Sequence, residues 1–473
     1  MTAQADGRTF DYIFGGRGFD VYSDGALQKL ARLMTSPPSA PPPEGQDDPE
    51  DTPIPAGYTY LGQFIDHDLV FDETSKLEGP NDPKALRNTR STRFDLDSLY
   101  GGGPAQDGRL YDSPATFRLG VRVSTDPRLE GPDLVRDATT ARTAQIGDPR
   151  NDENLIIAQL HSLLLRFHNA MVRHVGAAKP RLTGEALFEE ARRQVCWHYQ
   201  WVVVHDFLPR IVGQAMVDSV LKAMATPPEG RRFFDPQTRL FMPLEFSGAA
   251  YRFGHSMVRP VYRINASIRR PLLTGKFEAN NLENLIGFRP LPLGWGFQWK
   301  YFFELGGNPP GQPLQKARRI DPQLSNPLDA LVRIVKEGTP LSLAERNLRR
   351  GRALGLPSGQ EVARAMGVPP IADNDLIVGP RGGARPPISE VDAQFAGNAP
   401  LWYYVLREAE MAHQGQQLGP VGGRLVAEAI IGLIAADPAS HLNAKPTWKP
   451  DHALTTNGRF GMPELIRMTV EFL

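Results

Sequence analysis

Apolar residues recur every three or four positions through much of the middle of the chain. Such spacing lines one face of an α-helix, which turns once every 3.6 residues. The same spacing covers residues 327–336, 360–366 and 401–413, and residues 429–436 form a short apolar run typical of a buried helix. Alternating strand patterns are scarce. We predict a mainly α fold whose long core helices carry Leu160, Leu163, Leu164, Phe167 and Met171, then Trp197, Trp201 and Val204.

Glycine and proline shape the connections between these helices. The 473 residues include 45 glycines and 43 prolines, so long ordered loops must wrap the helices. Residues 37–55 are rich in proline and acid, which favours an extended surface loop, and residues 379–387 are typical of a flexible loop. No composition break marks a second domain. We predict an N-terminal arm and proline-rich loop over residues 1–56 and one large domain with little β-structure over residues 57–473.

Charge and composition exclude several classes of protein. The 53 basic and 53 acidic residues balance, which argues against nucleic acid or an anionic membrane as the main partner. No run reaches the ~18 apolar residues of a spanning helix, and the first residues lack a secretory signal. The only cysteine, Cys196, cannot form an internal disulfide and is expected to pack as a small apolar residue. We expect a soluble protein, either cytoplasmic or exported by a route that needs no N-terminal signal.

Residues 62–68 place an amide, a histidine and two carboxylates between apolar flanks. On a helix, Gln63 and His67 are four apart and share a face, while Asp66 and Asp68 project to either side of it. A neutral histidine can accept a proton near pH 7. The alternative is a core histidine satisfied by a neighbouring carboxylate. The density of polar groups favours a functional site.

A second group lies in the loop that follows. Asp95 and Asp97 stand at alternate positions, and the Ser91 hydroxyl and the Arg93 carbonyl lie upstream at the same alternation. An extended loop with this spacing can present all four oxygens to one hard cation, and calcium takes six to eight oxygen ligands. Two aspartates near a turn are also ordinary turn residues. Taken alone, the loop leaves both interpretations open.

Residues 147–154 open the long central helix. Asp148 and Asp152 suit the N-terminal end of a helix, so capping explains them fully. Capping does not explain Arg150, a cation where the helix dipole disfavours one, and Arg150 and Glu153 are three apart and can point the same way.

Three further histidines are candidate metal ligands. We predict that His255 lies in an apolar helix after Gly254, and taken alone it is more typical of a core residue than of a ligand. His161 and His168 are seven apart and share a helix face, which suggests a metal site. We doubt that site, because no carboxylate stands three or four positions away to complete the ligand set.

Taken in order, these segments resemble the animal-type haem peroxidases of the peroxidase-cyclooxygenase superfamily. The resemblance covers residues 57 to 437 and rests on Gly-Gln-Phe-Ile-Asp-His-Asp (62–68), Asp-Leu-Asp-Ser-Leu-Tyr-Gly (95–101), Gly-Asp-Pro-Arg-Asn-Asp-Glu-Asn (147–154), Leu-His-Ser-Leu-Leu-Leu-Arg-Phe-His-Asn (160–169) and Tyr-Arg-Phe-Gly-His (251–255). Residues 343–352 resemble the family segment whose asparagine hydrogen-bonds the iron-ligating histidine.

The resemblance implies a role for each polar residue around a haem b. His67 would be the distal histidine that moves the peroxide proton, Arg150 the distal arginine that stabilises developing negative charge, and Gln63 a distal polar group. His255 would be the proximal iron ligand, with Asn347 as its hydrogen-bond partner. The resemblance also places Arg350 among the haem-binding residues.

The resemblance implies covalent haem links and a calcium site as well. Family members form haem esters through an aspartate beside the distal histidine and a glutamate after the distal arginine, here Asp66 and Glu153. Some relatives add a sulfonium link from a methionine at the next position. Asn154 stands there and cannot form that link, so we expect less haem distortion than in those relatives. The family's calcium ligands correspond to Asp68, Ser91, Arg93 through its carbonyl, Asp95 and Asp97.

The chain departs from the secreted animal members of the family. It has neither their disulfides nor their signal peptide, although an extracellular location is the family tendency, and its compact 95–104 segment looks like the bacterial branch. Ala353 and Leu354 replace the Asp-His pair that usually follows the Arg350-Gly351-Arg352 run.

The function implied by the resemblance is reduction of hydrogen peroxide, with oxidation of phenols, dyes or halides through a ferryl intermediate. One alternative is a fatty-acid haem dioxygenase of the cyclooxygenase type, which needs a tyrosine three residues before the proximal histidine. Arg252 stands there, and we expect Tyr251 to point elsewhere. Another alternative is a non-catalytic adhesion protein on a peroxidase scaffold. That alternative would tolerate loss of Gln63, His67 and Arg150, yet all three are intact and no Arg-Gly-Asp motif is present.

Overall fold

Helices dominate the fold, which confirms the predicted mainly α class. The computed structural model describes residues 8–35, 50–123, 131–140, 142–225, 233–273, 282–331 and 340–471. Only part of the proline-rich loop and only part of the predicted 327–336 helix fall in these ranges. The described start of that predicted helix overlaps a 3-10 turn over Asn326–Asp329. The helices of eight or more residues span Asp24–Leu33, Gly57–Leu69, Leu155–Ala178, Gly184–Val202, Gln214–Ala225, Leu343–Ala353, Gly359–Met366, Leu401–His413, Pro420–Ala436 and Met462–Glu471.

The Leu155–Ala178 helix forms the centre of the core. The Asn154 side chain caps it by accepting hydrogen bonds from two backbone N–H groups, and the Gly184–Val202 helix packs along it. By length and composition this central helix could cross a membrane, a possibility that the sequence expectation missed. Since 94% of its most apolar window is buried inside the protein, it has the environment of a core helix.

Strands are short and occur in pairs. Phe10–Asp11 lies parallel to Met242–Pro243, Asp51–Pro55 lies antiparallel to Lys316–Arg318, and Val261–Arg263 lies antiparallel to Arg269–Pro271. The first two pairings join the N-terminal arm to later parts of the chain. The arm therefore packs on the large domain instead of standing apart from it.

Two elements face each other across a cavity in the interior of the described structure. The Gly57–Leu69 helix begins in a tight contact, because a Cβ on Gly57 would lie 2.4 Å from the Phe303 ring. The 3-10 helix Ala250–His255 follows the short helix Leu244–Gly248 and lies against the first helix.

Candidate active site

The cavity between these elements has a volume of about 460 Å³. Sequence reasoning singled out Gln63, Asp66, His67, Arg150, Glu153, His255 and Arg350 as distal or haem-binding residues, and all seven line this one cavity. Asn347 does not line it and instead contacts His255 from behind. The lining also includes Tyr251, Arg252 and Arg346, which were not singled out as site residues.

His67 is held as a neutral ring in the cavity wall. Its Nδ1 lies 2.8 Å from Oδ1 of Asn151, which leaves Nε2 on the opposite edge of the ring for the cavity. Burial, followed by the charge of Arg150, lowers the pKa of His67 to about 3. The ring is therefore uncharged at neutral pH and can accept a proton.

Arg150 lies at the C-terminal end of the helix that carries His67. Its guanidinium donates to the carbonyl oxygens of His67 at 3.0 Å and Val70 at 2.7 Å. It also donates to both carboxylate oxygens of Asp148 and stacks 4.2 Å from the Phe71 ring. Helix capping did not explain Arg150 at the start of its own helix. Its positive charge instead stabilises the negative C-terminal end of the Gly57–Leu69 helix.

Asp148 both caps the turn of Arg150 and pairs with its side chain. It accepts from the Arg150 N–H at 2.9 Å as well as from the guanidinium, and Arg90 donates to it at 2.6 Å. Burial alone would raise the pKa of Asp148, but the contacts with the two arginines lower it to about 2. The carboxylate is therefore ionised and fixes Arg150 in place.

The two candidate ester carboxyls line the cavity near His67. Gln63 Nε2 donates to Glu153, and Asn154 donates to the Gln63 oxygen at 3.4 Å. Burial raises the pKa of Glu153 to about 7 and also raises the pKa of Asp66, although nearby arginines oppose both shifts. Burial therefore disfavours the charged form of both acids.

His255 stands on the other side of the cavity. Asn347 Nδ2 lies 2.8 Å from Nδ1 of His255, and Asn347 Oδ1 lies 3.5 Å from Nη1 of Arg252. Burial, with the charge of Arg252, lowers the pKa of His255 to about 3. As with His67, the contact at Nδ1 leaves Nε2 for the cavity.

Three arginines bring positive charge to the His255 side. Arg350 donates to Ser75 Oγ at 2.5 Å and lies 3.9 Å from Asp72. Burial lowers the pKa of Arg350, Arg252 and Arg346, and mutual repulsion lowers it further for the last two. Sequence reasoning missed Arg252 and Arg346 as site residues. The spacing of Arg346 and Arg350, one helical turn apart, was the available signal.

Tyr251 corrects one expectation. We expected it to point away from the site, yet it lines the cavity, and its hydroxyl donates to the Gly62 carbonyl at 3.3 Å. The cavity extends past His255 as far as Gly62 of the opposite helix. Tyr251 and Arg252 of the 3-10 helix therefore both line it.

The predicted cation loop brings three carboxylates together. One oxygen from each of Asp68, Asp95 and Asp97 lies within 4.8 Å of the others. Ser91 donates to Asp95 through Oγ at 3.0 Å and to Asp97 through its N–H at 3.1 Å, and the Arg93 N–H donates to Ser91 Oγ at 3.3 Å. Burial and mutual repulsion raise the pKa of Asp68, and burial raises that of Asp97 to about 6 despite Arg90.

The other candidates have structural partners. His168 contacts the Tyr100 hydroxyl and the Ala115 carbonyl, each at 2.9 Å, and His161 contacts Asn151 at 3.1 Å. Neither belongs to a metal-binding cluster in the described part of the chain. Cys196 is buried with a raised pKa, as expected for a packed thiol.

His67 and His255 line one cavity of this helical protein, with three arginines on the His255 side, and this charge would suit an anionic cofactor that carries a metal. Residues 72–380 match the family described as animal haem peroxidase, and the chain belongs to that family. It is 27% identical to thyroid peroxidase of Sus scrofa over 299 residues, which cover 59% of this chain and 30% of that protein. It is 29% identical to human eosinophil peroxidase over 311 residues, 63% of this chain and 37% of that protein. The chain thus spans about a third of the length of these curated relatives.

Solved structures show the same fold. Peroxidase A from Dictyostelium discoideum superposes with a TM-score of 0.63 at 17% identity, covering 98% of this chain and 93% of that one. The fatty acid alpha-dioxygenase of Oryza sativa superposes with a TM-score of 0.58 at 12% identity, covering 96% and 78%. The scaffold is therefore similar to that of peroxidases and of a dioxygenase.

Proposed function

We propose that this protein is a haem peroxidase that reduces hydrogen peroxide and oxidises small donors such as phenols, dyes or halides. The observation that carries the proposal is the pairing of neutral His67 with the fixed cation Arg150 in the wall of a cavity that His255 also lines. Family membership supports it, since animal haem peroxidases typically bind haem.

The residues present fit a haem b. His255 would hold the iron through Nε2, and Arg350 with Arg252 would meet the anionic edge of the macrocycle, where positive charge has accumulated. Ligation through Nε2 requires the proton on Nδ1. The Asn347 amide would then turn its oxygen toward His255, and this turn would give up only the 3.5 Å contact with Arg252.

The chain's own residues would handle the protons of peroxide. The haem iron would supply the site that receives the two oxidising equivalents. His67 Nε2 would take the proton from one peroxide oxygen and return it to the other, so that water leaves instead of hydroxide. Arg150 would stabilise the negative charge that develops as the oxygen–oxygen bond breaks, and Gln63 would orient the incoming peroxide or halide.

Asp66 and Glu153 would form ester links to methyl groups at the haem edge, with hydrogen peroxide as the two-electron oxidant: each link would break one carboxyl O–H and one methyl C–H bond, form one O–C bond and release two water molecules. Both line the cavity, and the raised pKa of each favours the neutral carboxyl group. Esters would bury these acids without charge, which removes the cost of burying them as carboxylates.

We propose calcium as the ligand of the carboxylate cluster. Asp68 follows His67 directly, so a cation held by Asp68, Asp95 and Asp97 would tie the 91–97 loop to the helix of the active site. Ser91 Oγ and the Arg93 carbonyl would add oxygen ligands. A divalent cation would also relieve the repulsion that raises the pKa of these acids.

The dioxygenase alternative draws support from the similar fold and from Tyr251 in the cavity wall. Arg252 nevertheless occupies the position three residues before His255, and an intact His67 and Arg150 suit peroxide cleavage better than hydrogen abstraction from a fatty acid. The adhesion alternative has no feature in its favour among the described residues.

An absorption spectrum of the purified holoprotein tests the proposal. We expect a Soret band that hydrogen peroxide shifts and that a phenol or iodide then restores. Absence of the band, or a band that peroxide leaves unchanged, would contradict the enzyme. Oxygen uptake with a fatty acid in place of a peroxide-dependent donor reaction would favour the dioxygenase. Steady-state turnover with iodide, bromide and a phenol panel would identify the donor class.

A further inference from the structure

Asn151 lies between two buried histidines, and only one of them has a role in the proposed chemistry. Its Oδ1 is 2.8 Å from Nδ1 of His67, and its Nδ2 is 3.1 Å from Nδ1 of His161. All three side chains are buried, and Asn151 and His161 have no exposed surface. The amide therefore links the cavity wall to the central Leu155–Ala178 helix.

The geometry assigns a proton to each ring. An amide oxygen only accepts and an amide nitrogen only donates, whereas a neutral imidazole has one nitrogen of each kind. With Oδ1 of Asn151 facing it, Nδ1 of His67 must carry the proton, so Nε2 is the unprotonated nitrogen. With Nδ2 facing it, Nδ1 of His161 must be the acceptor.

That tautomer is the one the proposed reaction needs. Nε2 of His67 can take a proton from peroxide only if it does not already hold one. If the amide of Asn151 were reversed, Nδ2 would donate to His67 and the proton would stand on Nε2, facing the cavity. In the arrangement observed, Oδ1 of Asn151 faces His67 and Nδ2 faces His161 instead.

The backbone around Asn151 is held in a turn that places its side chain between the two rings. Asn151 belongs to the 3-10 turn Pro149–Asp152, and its N–H donates to the Asp148 carbonyl at 3.1 Å. The same turn carries Arg150, so one short segment positions both the cation and the partner of His67.

We propose that Asn151 is a positioning residue that holds His67 in the tautomer with the proton on Nδ1, and that His161 orients the Asn151 amide. The expected effect on the reaction with peroxide rests on the proposed peroxidase function. The tautomer of His67 can be measured without turnover.

The test compares the wild-type holoprotein with Asn151→Ala, Asn151→Asp and Asn169→Ala. The aspartate keeps an oxygen that accepts from His67 Nδ1. Asn169 is a matched control, because it is a buried asparagine on the central helix that carries His161, and its amide bonds the Phe117 backbone.

The first measurement is histidine side-chain ¹⁵N NMR on the diamagnetic carbon monoxide complex of the ferrous holoprotein, with His67→Gln to assign the signal. We expect the His67 proton on Nδ1 in wild type, Asn151→Asp and Asn169→Ala, and a mixture of tautomers in Asn151→Ala. A wild-type proton on Nε2 overturns the inference, whether or not Asn151→Ala folds.

The second measurement is the stopped-flow rate of the Soret change with hydrogen peroxide. We expect Asn151→Ala to react about 10- to 100-fold more slowly, since general-base catalysis contributes about 10² or more. Asn151→Asp should recover most of the rate, and the later oxidation of a phenol should be unchanged. If wild type reacts with peroxide and Asn151→Ala reacts equally fast, the inference fails while the peroxidase proposal stands. If wild type does not react, the peroxidase proposal fails, and the NMR result alone decides the tautomer.

Discussion

At the scale of single residues, the proposed chemistry depends most directly on the His67 imidazole. We expect His67→Ala to slow the reaction with hydrogen peroxide by a factor of about 10² or more, because the proton acceptor is lost. Haem should stay bound, since His255 and Asn347 are untouched. Stopped-flow absorption measures the rate and the Soret band reports the haem. His452→Ala, at an exposed histidine, is the control. Equal rates in both variants would remove His67 from the mechanism.

The proposed ester links to haem involve the carboxyl groups of Asp66 and Glu153. We expect haem to remain on wild-type protein after denaturation, because ester bonds survive unfolding. Peptide mass spectrometry should then find haem on the Asp66 peptide alone in Glu153→Gln and on the Glu153 peptide alone in Asp66→Asn. The control is Asp152→Asn, because the Asp152 carboxylate pairs with Arg136 and does not line the cavity. Release of all haem from denatured wild type would disprove both esters.

At the scale of elements, the turn that carries Arg150 is supported from behind by the 284–288 segment. Gly287 donates to the Glu153 carbonyl at 3.0 Å and Phe288 to the Asp152 carbonyl at 2.7 Å. A Cβ on Gly287 would lie 1.8 Å from the Asp152 carbonyl oxygen, so the two backbones must separate to accommodate any side chain.

We therefore expect Gly287→Ala to lower the free energy of unfolding by about 2 kcal/mol or more through overpacking. It should also slow the peroxide reaction, because Arg150 and Asn151 move with the turn. Urea unfolding and stopped-flow absorption measure the two effects. Gly25→Ala is the matched control, since a Cβ on Gly25 would meet no neighbouring atom within 4 Å and the residue sits in the first turn of a helix. Equal unfolding free energies and equal peroxide rates in Gly287→Ala and Gly25→Ala would show that the turn does not depend on this contact.

If the carboxylate cluster binds calcium as proposed, stability should depend on pH and on calcium in a defined direction. Without a cation, folded Asp97 keeps its proton up to a pKa of about 6, whereas its ordinary pKa is 3.8. The folded state then binds more protons between these values, so the stability that Asp97 contributes is lost as the pH rises from about 4 to 6. Bound calcium favours the ionised acids and should reverse this slope.

Thermal unfolding of calcium-depleted protein between pH 4 and 7, with and without added calcium, measures this effect. We expect the midpoint to fall with rising pH in the depleted protein and calcium to raise it most at the upper end. Asp97→Asn should reduce both the slope and the calcium response. Calcium-independent midpoints throughout would argue against the site.

At the scale of the whole molecule, the N-terminal arm is tied to the element that leads to His255. Glu245, in the short helix before the His255 segment, has no exposed surface and accepts the N–H groups of Ile13 and Phe14 at 2.8 to 3.0 Å. Phe10 lines the cavity, and the Tyr12 hydroxyl donates to the Leu354 carbonyl at 2.6 Å.

We expect Glu245→Ala to release the arm, because it leaves two backbone N–H groups without their acceptor at a cost of about 1–3 kcal/mol each. Limited proteolysis should then cleave near residue 13, and haem should dissociate faster. Glu245→Gln keeps one oxygen acceptor and should lie between wild type and Glu245→Ala. Unchanged proteolysis would show that the arm is held by its other contacts.

Local patterns accounted for much of the fold. The predicted 360–366 and 401–413 stretches are the helices Gly359–Met366 and Leu401–His413, because a 3.6-residue period is a property of consecutive residues. The segment before His255 was harder to predict, since its 3-10 geometry depends on packing. The placement of Tyr251 in the cavity wall was missed for the same reason.

The sequence by itself determined the mainly α class and the clustering of polar residues from Gln63 to Asp68. Through resemblance, it also determined the family. Only the tertiary structure decided that Arg150 ends at the carbonyls of another helix, that Arg252 lines the cavity beside Arg350, and that Asn151 connects His67 to His161. Each of these contacts joins residues of different elements. Such contacts follow from how the elements pack against one another, and no local periodicity encodes them.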